Sequence, residues 1–188
     1  MESIDKIPFV DTPLHEAVAA GHDDFTMEIM NLMPSFARKL NKDSYSPIHL
    51  ALKNETTVLR LLAADKDLVH VKGREGYTPL HCVAEQGNLR LLAQFLMDCL
   101  GCIQDVTIRN ETALHVAAKK NKLKALQVLM QLLRRTYFYS SSFGKRLLNV
   151  GIHLVEDLTL CHASWAELLQ PLSNIKAKTP TILQQRIQ

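Results

Sequence analysis

Gly76-Tyr77-Thr78-Pro79-Leu80-His81-Cys82-Val83-Ala84-Glu85-Gln86-Gly87 contains a complete helix specification. Thr78 can cap the helix, and Pro79 at the first helical position lacks only an N–H that would have gone unpaired anyway. Leu80 enters the core, and Gly87, nine residues after the Thr, suits the left-handed position that ends a helix. The same four-residue element recurs as Thr12-Pro13-Leu14-His15, Ser46-Pro47-Ile48-His49 and Thr112-Ala113-Leu114-His115. Its starts are 34, 32 and 34 residues apart. Small residues at Ala17, Ala51, Ala84, Ala117 and Ala118 allow these helices to approach closely, and Gly21 and Asn121 repeat the terminating role of Gly87. The second copy, with Glu55 beside Asn54 at that place, is the irregular one. The repeated His is placed to hydrogen-bond turn backbone and tie one repeat to the next.

This period and the T-P-L-H-x-A signature are those of the ankyrin repeat, a β-turn followed by two antiparallel helices. The fold class that follows is all-α: an ankyrin-repeat solenoid of about four repeats with a C-terminal non-repeat tail. Outer helices show helical spacing in Phe25, Ile29, Met30 and Leu32; in Val58, Leu61 and Leu62; in Leu89, Leu92, Phe95 and Leu96; and in Leu123, Leu126, Leu129, Met130 and Leu133. Between repeats, Ser44, Gly76 and Asn110 sit two residues before the Ser or Thr, as turn formers at the tips of projecting fingers. The reading assigns 1–135 to the repeat domain and 136–188 to the tail, with one short amphipathic helix over about 157–169 and disorder from Ser173. A repeat cannot bury its apolar face alone, so the end repeats need covered or polar outer faces.

Composition excludes several classes. The apolar fraction is 47% and the charged fraction 22%, within the globular range, so wholesale disorder is excluded. A formal net charge of +3 is too balanced for a chain that tracks a nucleic-acid backbone, and no nucleic-acid partner is expected. Residues 1–10 carry Glu2, Asp5 and Lys6 and resemble no signal peptide. No stretch approaches the roughly 18 to 20 apolar residues of a membrane span. Four cysteines without an export signal read as thiols of a reducing compartment.

Catalytic, cofactor and metal sites are not expected. The repeated histidines sit one repeat apart and cannot converge on one ion. Cys99-Leu100-Gly101-Cys102 has metal-site spacing but no second pair to complete a set, and reads as helix-end packing. Gly73 and Gly76 precede a turn rather than a phosphate-binding helix. A Cys-His device would need separate loops to meet, which sequence alone does not show. Lys119, Lys120, Lys122 and Lys124, with Arg134-Arg135, form a basic run that is either a solvated surface or a contact for an acidic partner or anionic lipid.

The architecture offers a binding face made of fingers and exposed inner-helix positions. On the repeat register these are Asp43, Tyr45, Arg74, Glu75, Tyr77, Arg109 and Glu111 on the fingers, and Glu16, Lys53, Glu85, Gln86, Lys119 and Lys120 on the inner helices. Tyr45, Arg74, Tyr77 and Arg109 are the residue types enriched at binding hot spots. For Tyr45 and Tyr77 the alternative is packing between fingers.

Several longer stretches narrow the comparison: I-P-F-V-D-T-P-L-H (7–15), E-I-M-N-L-M-P-S-F-A (28–37), S-P-I-H-L-A-L (46–52), K-D-L-V-H-V-K-G-R-E-G-Y-T-P-L-H (66–81) and D-V-T-I-R-N-E-T-A-L-H-V-A (105–117). Together they resemble the plant ankyrin-repeat membrane proteins of the bian-da and accelerated-cell-death type. The resemblance implies a cytosolic array without enzymatic activity, acting in immune and cell-death signalling, in proteins that carry a C-terminal membrane block (the PGG domain) not found after Arg135 here. It further implies a protein partner, with a membrane protein or full-length relatives as candidates, and a cytoplasmic location, with recruitment to the cytosolic face of the plasma membrane through a partner as an additional option. Two other readings stay open: a truncated relative without independent function, and a peripheral binder of anionic membrane.

Overall fold

The structure is a computed structural model that describes residues 9–139. The helix expected over 157–169 and the disorder expected from Ser173 lie outside them. The chain divides into two compact units, Met1–Lys122 and Leu123–Gln188. The first carries inner helices α1 (Pro13–Ala20), α3 (Pro47–Ala51), α5 (Pro79–Gln86) and α7 (Ala113–Lys119). Its outer helices are α2 (Asp23–Leu32), α4 (Glu55–Ala64) and α6 (Leu89–Asp98), each followed by a 3-10 turn: Pro34–Arg38, Lys66–His70 and Leu100–Gln104. The described part of the second unit is α8 (Leu123–Tyr139), which runs four residues past the expected boundary at 135 because no Gly or Pro interrupts 123–139.

Each inner helix starts from an extended Thr or Ser, as Thr12 shows with φ −88° and ψ 159°. The cap is more specific than a hydroxyl alone. The third helical residue is the repeated His, which closes a capping box with the Thr at α1, α5 and α7. In α1 the Thr12 N–H donates to His15 Nδ1 at 3.2 Å and the Thr12 hydroxyl lies 2.8 Å from the same nitrogen. Inner helices end as expected at Gly21 (φ 74°), Gly87 (φ 77°) and Asn121 (φ 55°). The second repeat has no such terminator: α3 is only five residues long, and Asn54 instead caps α4 by accepting the Thr56 N–H.

Repeats stack inner helix on inner helix, α1 on α3, α3 on α5 and α5 on α7. The motif residues Leu14, Ile48, Leu80 and Leu114 are all fully buried, as are Val58, Leu92 and Phe95 from the outer helices. Burial of this size, at about 25 cal/mol per Å² of apolar surface, is what holds a repeat to its neighbour. The spacing on α2 misleads at two places. Phe25 is 54% and Leu32 79% exposed, and Thr26, Ile29 and Met30 form the buried face instead. On α8, Ala125, Leu126, Leu129 and Met130 are buried, whereas Leu123 is exposed.

The histidines tie the stack together. His15 Nε2 meets the carbonyl oxygen of Tyr45 at 3.0 Å, His49 Nε2 that of Tyr77 at 3.0 Å, and His81 Nε2 that of Glu111 at 3.1 Å. Since a carbonyl only accepts, Nε2 carries the proton; Nδ1 is then the acceptor that the Thr or Ser hydroxyl requires. A second ladder joins the outer helices: the Thr56 hydroxyl donates to Asp23 at 3.0 Å, Thr57 also donates to Asp23, and Asn88 donates to Glu55 at 3.3 Å.

Candidate functional site: a cleft of fingers and inner helices

The fingers owe their shape to residues with positive φ. Ser44 (63°), Glu75 (55°), Gly76 (74°) and Asn110 (60°) turn the chain back on itself. Each tip is closed by backbone bonds: the Asn41 N–H to the Tyr45 oxygen (2.8 Å), Gly73 to Tyr77 (2.7 Å) and Thr107 to Glu111 (2.9 Å). Adjacent fingers also join, the Ile108 N–H donating to the Glu75 carbonyl at 3.1 Å.

These fingers and helices α5 and α7 enclose a cleft of about 430 Å³. Its lining is Tyr45, Arg74, Glu75, Tyr77, Glu85, Arg109, Glu111, Lys119 and Lys120, together with Cys82. Four of the residues read from sequence lie outside it. Asp43 is exposed and donates its N–H to Asn41 Oδ1 at 3.0 Å. Glu16 is exposed on α1, and Gln86 is exposed at the end of α5. Lys53 is not on an inner helix at all, because α3 stops at Ala51 for want of a left-handed terminator.

Charge in the cleft is mostly paired. Lys120 Nζ lies 2.6 Å from Glu85, Lys119 pairs with Glu111, and Arg109 lies 3.5 Å from Glu75. Arg74 has no ion-pair partner among the described residues, so its guanidinium keeps its donors for something else. Tyr45 and Tyr77 serve two roles at once. Each ring lies against the His of its own repeat, with centroids 6.2 and 5.7 Å apart, and each also lines the cleft. Burial, then the nearby Glu85 and Glu111, raises the Tyr77 pKa, so the phenol stays protonated.

Burial pushes the Cys82 thiol up to about 12. Burial also lowers the pKa values of His15 and His81 and pushes His49 down to about 4. In each of these histidines both ring nitrogens are already engaged. Among the described residues no cluster of His, Cys, Asp or Glu is arranged to hold a metal ion, and no helix is long and apolar enough to cross a membrane.

Two residues escaped the sequence reading. Cys82 lines the cleft because it follows His81 on α5, one position round the helix. Ile108 is 75% exposed on a finger. Its signal was available: the same register holds Lys42 and Arg74 in the other fingers, so an apolar residue there breaks the pattern.

Comparison with known proteins agrees with this architecture. Residues 57–136 match the family described as ankyrin repeats (3 copies). The ankyrin repeat-containing protein BDA1 of Arabidopsis thaliana is 52% identical over 42 residues, 22% of this chain and 10% of that protein. NF-kappa-B inhibitor zeta of Mus musculus is 34% identical over 131 residues, 64% of this chain and 17% of its own length. Among solved structures, the ankyrin repeat domain of Bcl-3, a unique member of the IkappaB protein family, superposes with a TM-score of 0.58 at 24% identity, covering 76% of this chain and 73% of that one. The chain thus matches only a minor part of the length of these curated relatives. The fold is the ankyrin-repeat fold, all-helical among the described residues.

Proposed function

We propose that this ankyrin-repeat domain is a non-enzymatic protein-interaction scaffold that holds its partner in the cleft between fingers and inner helices. The observation that carries the reading is the convergence of Tyr45, Arg74, Tyr77 and Arg109, from three successive fingers, on one cleft. Tyrosine supplies contact area at low entropic cost, and the unpaired Arg74 supplies donors for a carboxylate of the partner. The pairing of Lys119 and Lys120 with Glu111 and Glu85 leaves less free positive charge for a lipid surface, which favours a protein over a membrane. The partial identity with BDA1 supports a plant setting, and the resemblance of the longer stretches extends this to immune and cell-death signalling in the cytoplasm, with a membrane protein or a full-length relative as partner.

The test is affinity capture from soluble and membrane fractions of plant extract, comparing the wild-type chain with an Arg74→Ala, Tyr77→Ala, Arg109→Ala variant of matched unfolding midpoint. Proteins retained by the wild type and released by the variant are the expected result. Capture that ignores the three substitutions would overturn the assignment of the cleft.

A further inference from the structure

The junctions between successive repeats are built alike, and one holds different chemistry. Between the first and second repeats, Arg38 at the end of the turn Pro34–Arg38 faces Asp65, the N-cap of the turn Lys66–His70, at 2.6 Å. One repeat on, the same register puts His70 opposite Cys99, the N-cap of Leu100–Gln104, with Nε2 3.3 Å from Sγ. The fold therefore places an imidazole and a thiol where the neighbouring junction holds a full ion pair. Behind the ring, Asp105 Oδ2 lies 2.6 Å from His70 Nδ1.

Hydrogen-bond chemistry fixes the roles. A carboxylate accepts, so Nδ1 of His70 carries the proton and Nε2 presents its lone pair to the thiol. This is the opposite tautomer from His15, His49 and His81, and the only one that makes the ring a base toward sulfur. The titratable groups that face Cys99 among the described residues are His70, Asp105 behind it, and Cys102 on its own turn, whose thiol donates to the Cys99 carbonyl oxygen at 2.8 Å. Cys99 is half-buried and His70 exposed, whereas Cys102 is fully buried. Gly101 puts no side chain beside the sulfur; a Cβ there would stand 3.7 Å from Sγ, in ordinary contact with it.

We propose that Cys99 is a thiol–disulfide exchange site for low-molecular-weight aliphatic disulfides, with His70 as its base and Asp105 as the positioning residue. The Cys99 proton passes to His70 Nε2, and the sulfur attacks one sulfur of the disulfide. The S–S bond of the reagent breaks, a mixed disulfide forms at Cys99, and the departing thiolate takes the proton back from His70. One disulfide is reduced as one is formed.

Glutathione disulfide is the probe. The full chain is incubated with it near pH 7, and the adduct on the peptide holding Cys99 and Cys102 is followed by mass spectrometry, with fragment ions locating it. The expected result is modification at Cys99 that slows about tenfold or more in His70→Gln, and in the same direction in Asp105→Asn. A Cys99–Cys102 disulfide formed by later loss of glutathione, with the same dependence on His70, also supports the proposal. The pH profile separates chemistry from packing: an unassisted thiol gains about tenfold in rate per pH unit below its own titration. His70→Gln should show that slope and the wild type a shallower one. Equal rates and slopes in wild type and His70→Gln, at matching thermal midpoints, would overturn the proposal. So would an adduct on buried Cys82 or Cys102 with Cys99 unmodified. If His70→Gln fails to fold, Asp105→Asn, which keeps the imidazole, decides by the same rate and slope.

Discussion

Acidification should destabilise this domain before most carboxylates titrate. His49 is 7% exposed, with Nδ1 2.7 Å from the Ser46 hydroxyl and Nε2–H on the Tyr77 carbonyl. Burial first, then the neighbouring His81, pushes its pKa from 6.5 down to about 4 against the opposing pull of the Tyr77 hydrogen bond. The unfolded chain therefore takes up the proton first, and stability falls as pH drops below 6.5 and levels off near 4. At about 1.4 kcal/mol per pKa unit, the full loss from this one residue is about 3 kcal/mol, of which about 2 kcal/mol is already gone at pH 5. His15 and His81, also lowered chiefly by burial, act in the same direction. Against a typical stability of about 5–15 kcal/mol the effect is large. Urea denaturation followed by helical circular dichroism between pH 7.5 and 5 measures it, and the imidazole resonance of His49 in the folded protein reports the titration directly. A flat unfolding free energy over that interval, or a folded His49 that titrates near 6.5, would refute the reasoning.

Two glycines with the same backbone angle should respond differently to Ala. Gly21 (φ 74°) has open space around a new Cβ, so Gly21→Ala costs only the left-handed strain, about 1–2 kcal/mol, whereas at Gly76 (φ 74°) the Cβ would also meet the Ile108 nitrogen at 2.9 Å. Thermal denaturation should place Gly76→Ala clearly below Gly21→Ala, and equal midpoints would contradict the contact. Phe95→Ala empties a fully buried site on α6 and should cost about 3–5 kcal/mol, read as a lowered urea midpoint.

The repeat and its helix boundaries were legible because each depends on a local rule. Thr, Pro, Leu and Gly act within one turn; the first and third copies carry all four at fixed offsets, and the others carry Ser, Ile, Ala or Asn at some of the same places. The cleft was partly legible for the same reason: register alone assigns Arg74, Tyr77 and Arg109 to equivalent loops. Lys53 was misplaced because the second repeat is two residues shorter than its neighbours and lacks a terminating Gly, so register no longer maps it onto a helix. Phe25 and Leu32 fit helical spacing, yet which of two apolar stripes turns inward is decided by the neighbouring helix. His70, Cys99 and Asp105 were invisible as a group, since nothing local relates residues about thirty positions apart.

The hydrogen bond from the Ile108 amide to the Glu75 carbonyl joins two fingers that the chain connects only through a whole repeat. A loop tip that floats must be ordered when a partner arrives, and that ordering subtracts from affinity. With these two tips stitched together, that side of the cleft is already assembled before contact. Its amide should exchange slowly with solvent despite its exposed side chain, and a partner docking there meets a fixed template whose selectivity is set by shape rather than by induced rearrangement.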